Sequence, residues 1–375
     1  MNTSYFAFCS NQPFLNTKED MLNREHMQRY FAAGSYYLAA EMERQHIPFG
    51  TGKDALYLIK EGKLSPENIY IICELNARDS EKLAIKGAHR FVLQGLESRF
   101  YASHFYDSLN RRAPQYDYVM TFRHMLLDIH PKKQCIPIHY PVYSQKDIDC
   151  IPSLSFQGKK GDIVYVLSNK QNGGKRLPVD RHASIEYNLK VTLAYFLKPF
   201  SKTLRQIKGT GLFGYRRDII EFLAEQKGLS FDLFGRGWDN LDDIQSEKFR
   251  KAIESLHPKA VDDKTKVISH YKYALAIENN RDFDYITEKI FDVMMSGSVP
   301  IYLGAPNVEE YIPKDCFINA AEYSSFEELF SYVKSIDEEQ YSQYQKNIRN
   351  FLSSEDNPFS MEEYTRTMMN LFMEA

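Results

Sequence analysis

Between Tyr271 and Pro306 the chain reads YKYALAIENNRDFDYITEKIFDVMMSGSVPIYLGAP, with its polar residues gathered between two apolar runs. Glu278, Asn279 and Asn280 end the first of these runs, and Glu288 and Lys289 are the groups in this stretch that could do chemistry. Carboxylates accept hydrogen bonds from sugar hydroxyls, and an ammonium gives a phosphate a full positive charge. The elements that must hold them follow from hydropathy. Tyr273–Ile277 is short, apolar and bounded by polar residues, which predicts a buried parallel strand. From Tyr285 the spacing turns helical: Ile286, Ile290, Val293 and Met294 share one side, and Tyr285, Glu288, Lys289 and Asp292 the other. Asp284 is the expected N-cap, Gly297 closes the helix, and Val299–Leu303 restores a strand. In an open α/β sheet, ligands bind at the carboxyl ends of strands, beside helix N-termini that carry roughly half a positive charge. On residue types alone, a phosphate site and an ordinary surface helix with a wet Glu/Lys face stay equally open.

The order Glu278-Asn279, then Asp284-Tyr285-Ile286-Thr287-Glu288-Lys289, then Val299-Pro300 and Leu303-Gly304 resembles the signature of the α-1,3-fucosyltransferases, which use GDP-fucose. That signature runs approximately F-E-N, a short spacer, D-Y-I-T-E-K, and V-P-hydrophobic-x-x-G; Ile277 stands here for the usual Phe. The resemblance implies the GT-B architecture, an α/β fold of two Rossmann-like domains facing across a cleft. It implies that Asn279, Tyr285, Glu288 and Lys289 bind the donor.

Other segments extend the likeness. Within FVLQGLESRF, Glu97-Ser98 follows the strand expected from Arg90 and resembles the family's strand and Glu-Ser, where the Glu is the proposed general base; Arg99 stands where the family has proline. Without the likeness, Glu97 is one of many carboxylates. Ile163–Leu167 followed by Ser168-Asn169 resembles the opening strand of the family's donor domain. Arg216, Ile219, Ile220 and Leu223 resemble its next helix, whose arginine contacts the donor pyrophosphate, with Arg217 as the competitor. An arginine fork suits phosphate because it binds two oxygens at once. Phe231–Gly237 resembles the following strand and glycine turn.

Strand and helix patterns alternate through the first half: Tyr5–Cys9, helices near 18–30, 36–45 and 54–60, a strand at 68–73, a helix at 80–86, then strands at 90–93, 116–121 and 135–138. Pro137 makes the last an edge strand. A Ser-, Pro- and Gly-rich stretch from Tyr143 to Asp162 is the expected linker. Three parts follow: an acceptor-binding domain at 1–150, a GDP-fucose-binding domain at 161–345, and helices at 346–375 packing across both. Lys170 to Gly214 is longer than the family's spacing and reads as an inserted acceptor- or membrane-contacting element, or else the donor domain opens elsewhere.

Composition narrows the classes. With 375 residues and 43% hydrophobic content the chain can bury sizeable cores, and a net charge of −3 speaks against nucleic-acid binding. The five cysteines are scattered without a C-x-x-C pair, as in a reduced, cytosolic protein. The N-terminus lacks a basic and apolar leader, and no apolar run approaches the ~18 residues of a membrane span. A cytoplasmic location is expected, with peripheral contact to the inner membrane left open. Gly209–Gly214 fits G-x-G-x-x-G but follows a basic mixed segment, which argues against a dinucleotide site. Asp282-Phe283-Asp284 and Asp147-Ile148-Asp149 spell D-x-D, yet Asp284 belongs to the helix cap and the second lies in the linker, so no metal and no cofactor is expected.

The reading is thus an inverting transferase moving L-fucose from GDP-β-L-fucose to O3 of an N-acetylglucosamine-containing glycan such as N-acetyllactosamine. Glu97 is the base, Arg216 and Lys289 hold the pyrophosphate, and Asn279, Tyr285 and Glu288 place the sugar nucleotide. A GT-B transferase with a different nucleotide sugar, or an inactive glycan-binding relative, is the alternative.

Overall fold

The computed structural model describes residues 4–375 apart from 13, 30–32, 128, 130–133, 170–200, 202, 204, 205, 207, 208, 239–243 and 245. The expected insertion from Lys170 to Gly214 therefore lies mostly outside the described residues. The chain forms two compact units, one of Met1–Lys146 with Glu355–Ala375 and one of Asp147–Ser354. Among the described residues no helix is long and apolar enough to cross a membrane.

Unit 1 is built on a parallel sheet of β1 (Tyr5–Cys9), β2 (Phe49–Thr51), β3 (Ile69–Glu74), β4 (His89–Gly95), β5 (Tyr118–Thr121) and β6 (Cys135–Pro137), in the order β2-β1-β3-β4-β5-β6. Parallel strands are covered on both faces, which is why these segments read as apolar runs. Phe6, Phe8, Ile72, Val92 and Met120 line one face, and Ala7, Cys9, Ile71, Cys73 and Leu93 the other. β6 is the edge strand, where Pro137 costs no interior hydrogen bond.

The helix Met361–Glu374 completes this core. Ser360 caps it by accepting from the Glu363 N–H, and Tyr364, Met368, Leu371 and Phe372 pack on the first face. Phe372 meets Phe6 with ring centroids 4.4 Å apart. The chain is pinned on its return by Val142 N donating to Phe359 O and Met361 N to Tyr143 O, both at 2.9 Å.

Unit 2 holds β7 (Gly161–Val166), β8 (Phe231–Phe234), β9 (Tyr271–Ile277), β10 (Val299–Leu303) and β11 (Ile318–Asn319), all parallel, in the order β11-β10-β9-β7-β8. Pro300 is tolerated inside β10 because β11 pairs only with Ile301 and Tyr302. The expected linker contributes short 3-10 turns, Gln145–Cys150 and Phe156–Gly158, before β7 begins at Gly161. The helix Glu338–Leu352 belongs to this unit, whereas Met361–Glu374 belongs to the other.

One expected element is corrected. The helix after β9 spans Glu288–Met295, not Tyr285 onward, and its N-cap position is Thr287, not Asp284. Asp284 sits at φ 61, in the left-handed region, and its carboxylate accepts from Asn307 Nδ2 and the Tyr311 hydroxyl at 2.8 and 2.7 Å. Tyr285, expected on the wet side, is 3% exposed. Ile286, Ile290, Val293 and Met294 do form the buried face. Gly297, at φ 66, ends the helix as expected; a Cβ there would lie 2.2 Å from Pro152 O.

Candidate active site

β7 lies between β8, the strand that follows it, and β9, which the chain reaches by crossing to the other side. Such a reversal opens a crevice at the strands' carboxyl ends. The polar residues of the β9–β10 segment gather there.

Glu278, wholly buried, follows the last residue of β9. Its carboxylate accepts from Thr287 N at 2.9 Å, from the Thr287 hydroxyl at 2.8 and 3.0 Å, and from Lys289 Nζ at 2.8 Å. These bonds explain the late start of the helix: Thr287 stays extended so that its N–H and hydroxyl both reach the carboxylate. Lys289 also donates to Thr287 Oγ1 at 2.9 Å and lies 3.5 Å from Glu288 Oε1. Removing two charges from water costs several kcal/mol per ion, about what close pairing and added hydrogen bonds return. Burial pulls the Lys289 ammonium down, but the Glu278 and Glu288 carboxylates outweigh it and hold it above the usual lysine value. For Glu288, burial pushes the carboxyl up, and the charges of Lys289 and Lys264 reverse the sign, leaving it below its ordinary value. Gly304 lets this anchor close, since a Cβ there would meet Tyr302 Oη at 2.2 Å and Glu278 Cγ at 2.5 Å.

Arg216 enters from the helix Phe213–Glu225, whose buried residues Arg216, Ile219, Ile220 and Leu223 repeat at helical spacing. Its Nη2 donates to Ile277 O at 2.6 Å and to Asn279 Oδ1 at 3.1 Å. The preceding strand-like segment is tied to the same turn by Leu212 N to Asn279 O at 3.0 Å and Arg281 N to Thr210 O at 2.7 Å. Arg216 is 5% exposed, and its Nε has no hydrogen-bond partner among the described residues. The Tyr165 hydroxyl, on β7, is buried and equally unpartnered among them. Burial pushes that phenol up, against the pull of the Arg216 and Lys289 charges. Asn279 Nδ2 reaches the Tyr285 hydroxyl at 3.5 Å.

Arg216, Asn279, Tyr285, Glu288 and Lys289 are thus brought together around Glu278 in unit 2. Glu97 stands in unit 1, half-buried, two residues beyond β4. Ser98 N donates to its Oε1 at 2.7 Å, and the Tyr106 hydroxyl to its carbonyl at 2.8 Å. Glu278, Thr287 and Tyr165 join the site beyond the residues expected from sequence. The first two were legible as motif members without a partner; Tyr165 sits inside an apolar strand and carries no signal.

Residues 215–368 match the family described as glycosyltransferase family 10 (fucosyltransferase), C-terminal part. An alpha-(1,4)-fucosyltransferase of Arabidopsis thaliana is 46% identical over 79 residues, 20% of each chain. An alpha-(1,3)-fucosyltransferase of Helicobacter pylori is 31% identical over 97 residues, 26% of this chain and 20% of that one. This segment is similar to the C-terminal part of glycosyltransferase family 10. The chain spans about a fifth of the length of these curated relatives. Among solved structures, Anabaena HepE in complex with UDP is 12% identical, covers 100% of both chains and superposes with a TM-score of 0.55. That likeness is one of fold: two parallel α/β sheets of the GT-B kind.

Proposed function

We propose that this protein is an inverting α-1,3-fucosyltransferase that moves L-fucose from GDP-β-L-fucose to O3 of an N-acetylglucosamine-containing glycan such as N-acetyllactosamine. The observation carrying the reading is Arg216: a buried guanidinium tethered by Nη2 at the reversal point of the unit 2 sheet, with Nε unpartnered among the described residues. A cation fixed in that way is preorganised for a diphosphate, because the protein has already met the cost of orienting it.

In the proposed reaction Glu97 takes the proton of the acceptor O3–H. The O3 electron pair forms a bond to fucose C1 as the bond from C1 to the phosphate oxygen breaks on the opposite face, and GDP departs with that electron pair. Arg216 and Lys289 offset the charge gathering on the diphosphate, while Asn279, Tyr285 and Glu288 hold the sugar nucleotide. Two side-chain cations and a helix N-terminus supply this compensation without a metal ion in the scheme.

The test is GDP release from GDP-fucose with N-acetyllactosamine, run beside a panel of other GDP- and UDP-sugars and with a chelator. Turnover confined to GDP-fucose and indifferent to the chelator is expected. Preference for a UDP-sugar, or no turnover of any donor, overturns the assignment.

A further inference from the structure

The unit 1 sheet reverses direction too. β1 lies between β2 and β3, so the crevice at its carboxyl edge opens between the ends of β1 and β3. The register sets Cys9 beside Cys73 and Glu74 beside Gln94. Ser10, Glu74 and Gln94, each half-buried, therefore follow in a row across β1, β3 and β4. They continue the face lined by Phe8, Ile72 and Val92, so an apolar wall ends in a polar rim.

The rim is built. The Ser10 hydroxyl accepts from Gln12 N at 3.1 Å and stands near enough to Glu74 to oppose the effect of burial on its carboxyl. The Tyr364 hydroxyl donates to Gln94 Oε1 at 3.3 Å and so orients the amide with its NH2 as donor. The loops on either side are tied together: Asn11 Nδ2 donates to Asn76 O at 2.9 Å and Arg78 N to Asn11 Oδ1 at 3.2 Å. Leu75 is held at φ 54 by its N–H bond to Gln94 O at 2.8 Å and by Arg112 Nη1 on its carbonyl at 2.6 Å. A branched apolar residue in the left-handed region costs free energy, and such strain collects where a loop must hold one shape.

We propose that Ser10, Glu74 and Gln94 form a saccharide subsite, in which the Glu74 carboxyl and the Gln94 amide bind neighbouring hydroxyls of the acceptor sugar. An acceptor and a donor side by side is the arrangement that reads vicinal hydroxyls. Burial raises the Glu74 carboxyl, opposed by the nearby Ser10 hydroxyl. The assignment of the sugar as acceptor rests on the proposed transfer reaction; the subsite itself does not.

The test is titration of the full chain with N-acetyllactosamine by ligand-observed NMR, for the wild type, Glu74→Gln and Gln94→Ala, with GDP-fucose turnover on the same preparations. Binding at least tenfold weaker in Glu74→Gln is expected, with acceptor KM raised alike and donor KM within twofold of wild type. A folded Glu74→Gln that binds the disaccharide as the wild type does overturns the subsite, as does a wild type that binds none. Should Glu74→Gln unfold, Gln94→Ala carries the same expectations. A wild type that binds the saccharide but turns over no nucleotide sugar defeats the transferase reading alone, and loss of binding in Glu74→Gln then still supports the subsite.

Discussion

The two sheets end their strands in contrasting ways. At the carboxyl edge of the unit 2 sheet, Glu278 faces Lys289, Lys289 also faces Glu288, and Arg216 is held by a carbonyl and an amide. At the edge of the unit 1 sheet, Glu74 is met by the Ser10 hydroxyl, beside Gln94 and Tyr364. One edge balances charge against charge in a buried network; the other offers a carboxyl amid neutral hydrogen-bonding groups. On the proposed reading the first takes a diphosphate through the guanidinium of Arg216, the second a ligand made of hydroxyls. Both sheets are parallel and reverse their strand order, and they differ in what the last residues of their strands present.

The largest effect expected from breaking this contrast is in the Glu278 network. Glu278→Ala leaves the Lys289 ammonium, the Thr287 N–H and its hydroxyl without their acceptor, a change that costs about 3–5 kcal/mol for a buried pair. Thermal unfolding of unit 2 should register it, and Lys289→Met in the Glu278→Ala background should restore part of the loss. If the double variant is no better than additive, the pair is not coupled as drawn.

Next in size is Glu97→Gln. As the proposed general base it should lose about 10²–10⁴-fold in kcat/KM, while GDP affinity measured by calorimetry stays unchanged. A rate within threefold of wild type would remove Glu97 from the chemistry. Arg216→Ala follows: a hydrogen bond to a charged group is worth about 1.5–3 kcal/mol, so GDP affinity should fall by roughly 10- to 100-fold. Arg217→Ala, on the exposed side of the same helix, should change it little. Equal effects at both positions would mean that the helix, not the buried guanidinium, is what matters.

How much of this was open to sequence reasoning varies along the chain. The strands 69–74 and 271–277 were legible because residues buried on both faces leave uninterrupted apolar runs. The site residues were legible as a string, Asp284 to Lys289. Their partnerships were not. The helix starts at Glu288 because a buried carboxylate nine residues from Thr287 claims that residue's donors, and the left-handed Asp284 is held by Asn307 and Tyr311. Local propensity carries no record of such long-range satisfaction of polar groups. Glu74 shows the same blindness: in sequence it only closes a strand, and its neighbours Ser10, Gln94 and Tyr364 are assembled by register and by the returning helix.

The smallest effect sharpens the contrast through pH. Glu288 has its folded pKa held below the ordinary glutamate value of about 4.3, so its contribution to stability is present above that value and is lost as pH falls through the lowered one. Glu74 has the opposite sign: its folded pKa is raised, so its contribution is present below about 4.3 and is lost as pH rises through the raised value. Glu288 is partly exposed, and its share should be about 1 kcal/mol or less. Amide exchange followed from about pH 7 to about pH 3 should show the turn after β9 opening in acid, less so in Glu288→Gln. Over the same range, wild-type β3 should gain protection relative to Glu74→Gln. Both edges responding to acid with one sign in these paired comparisons would mean that the charge pairing of unit 2 and the neutral setting of Glu74 do not distinguish them.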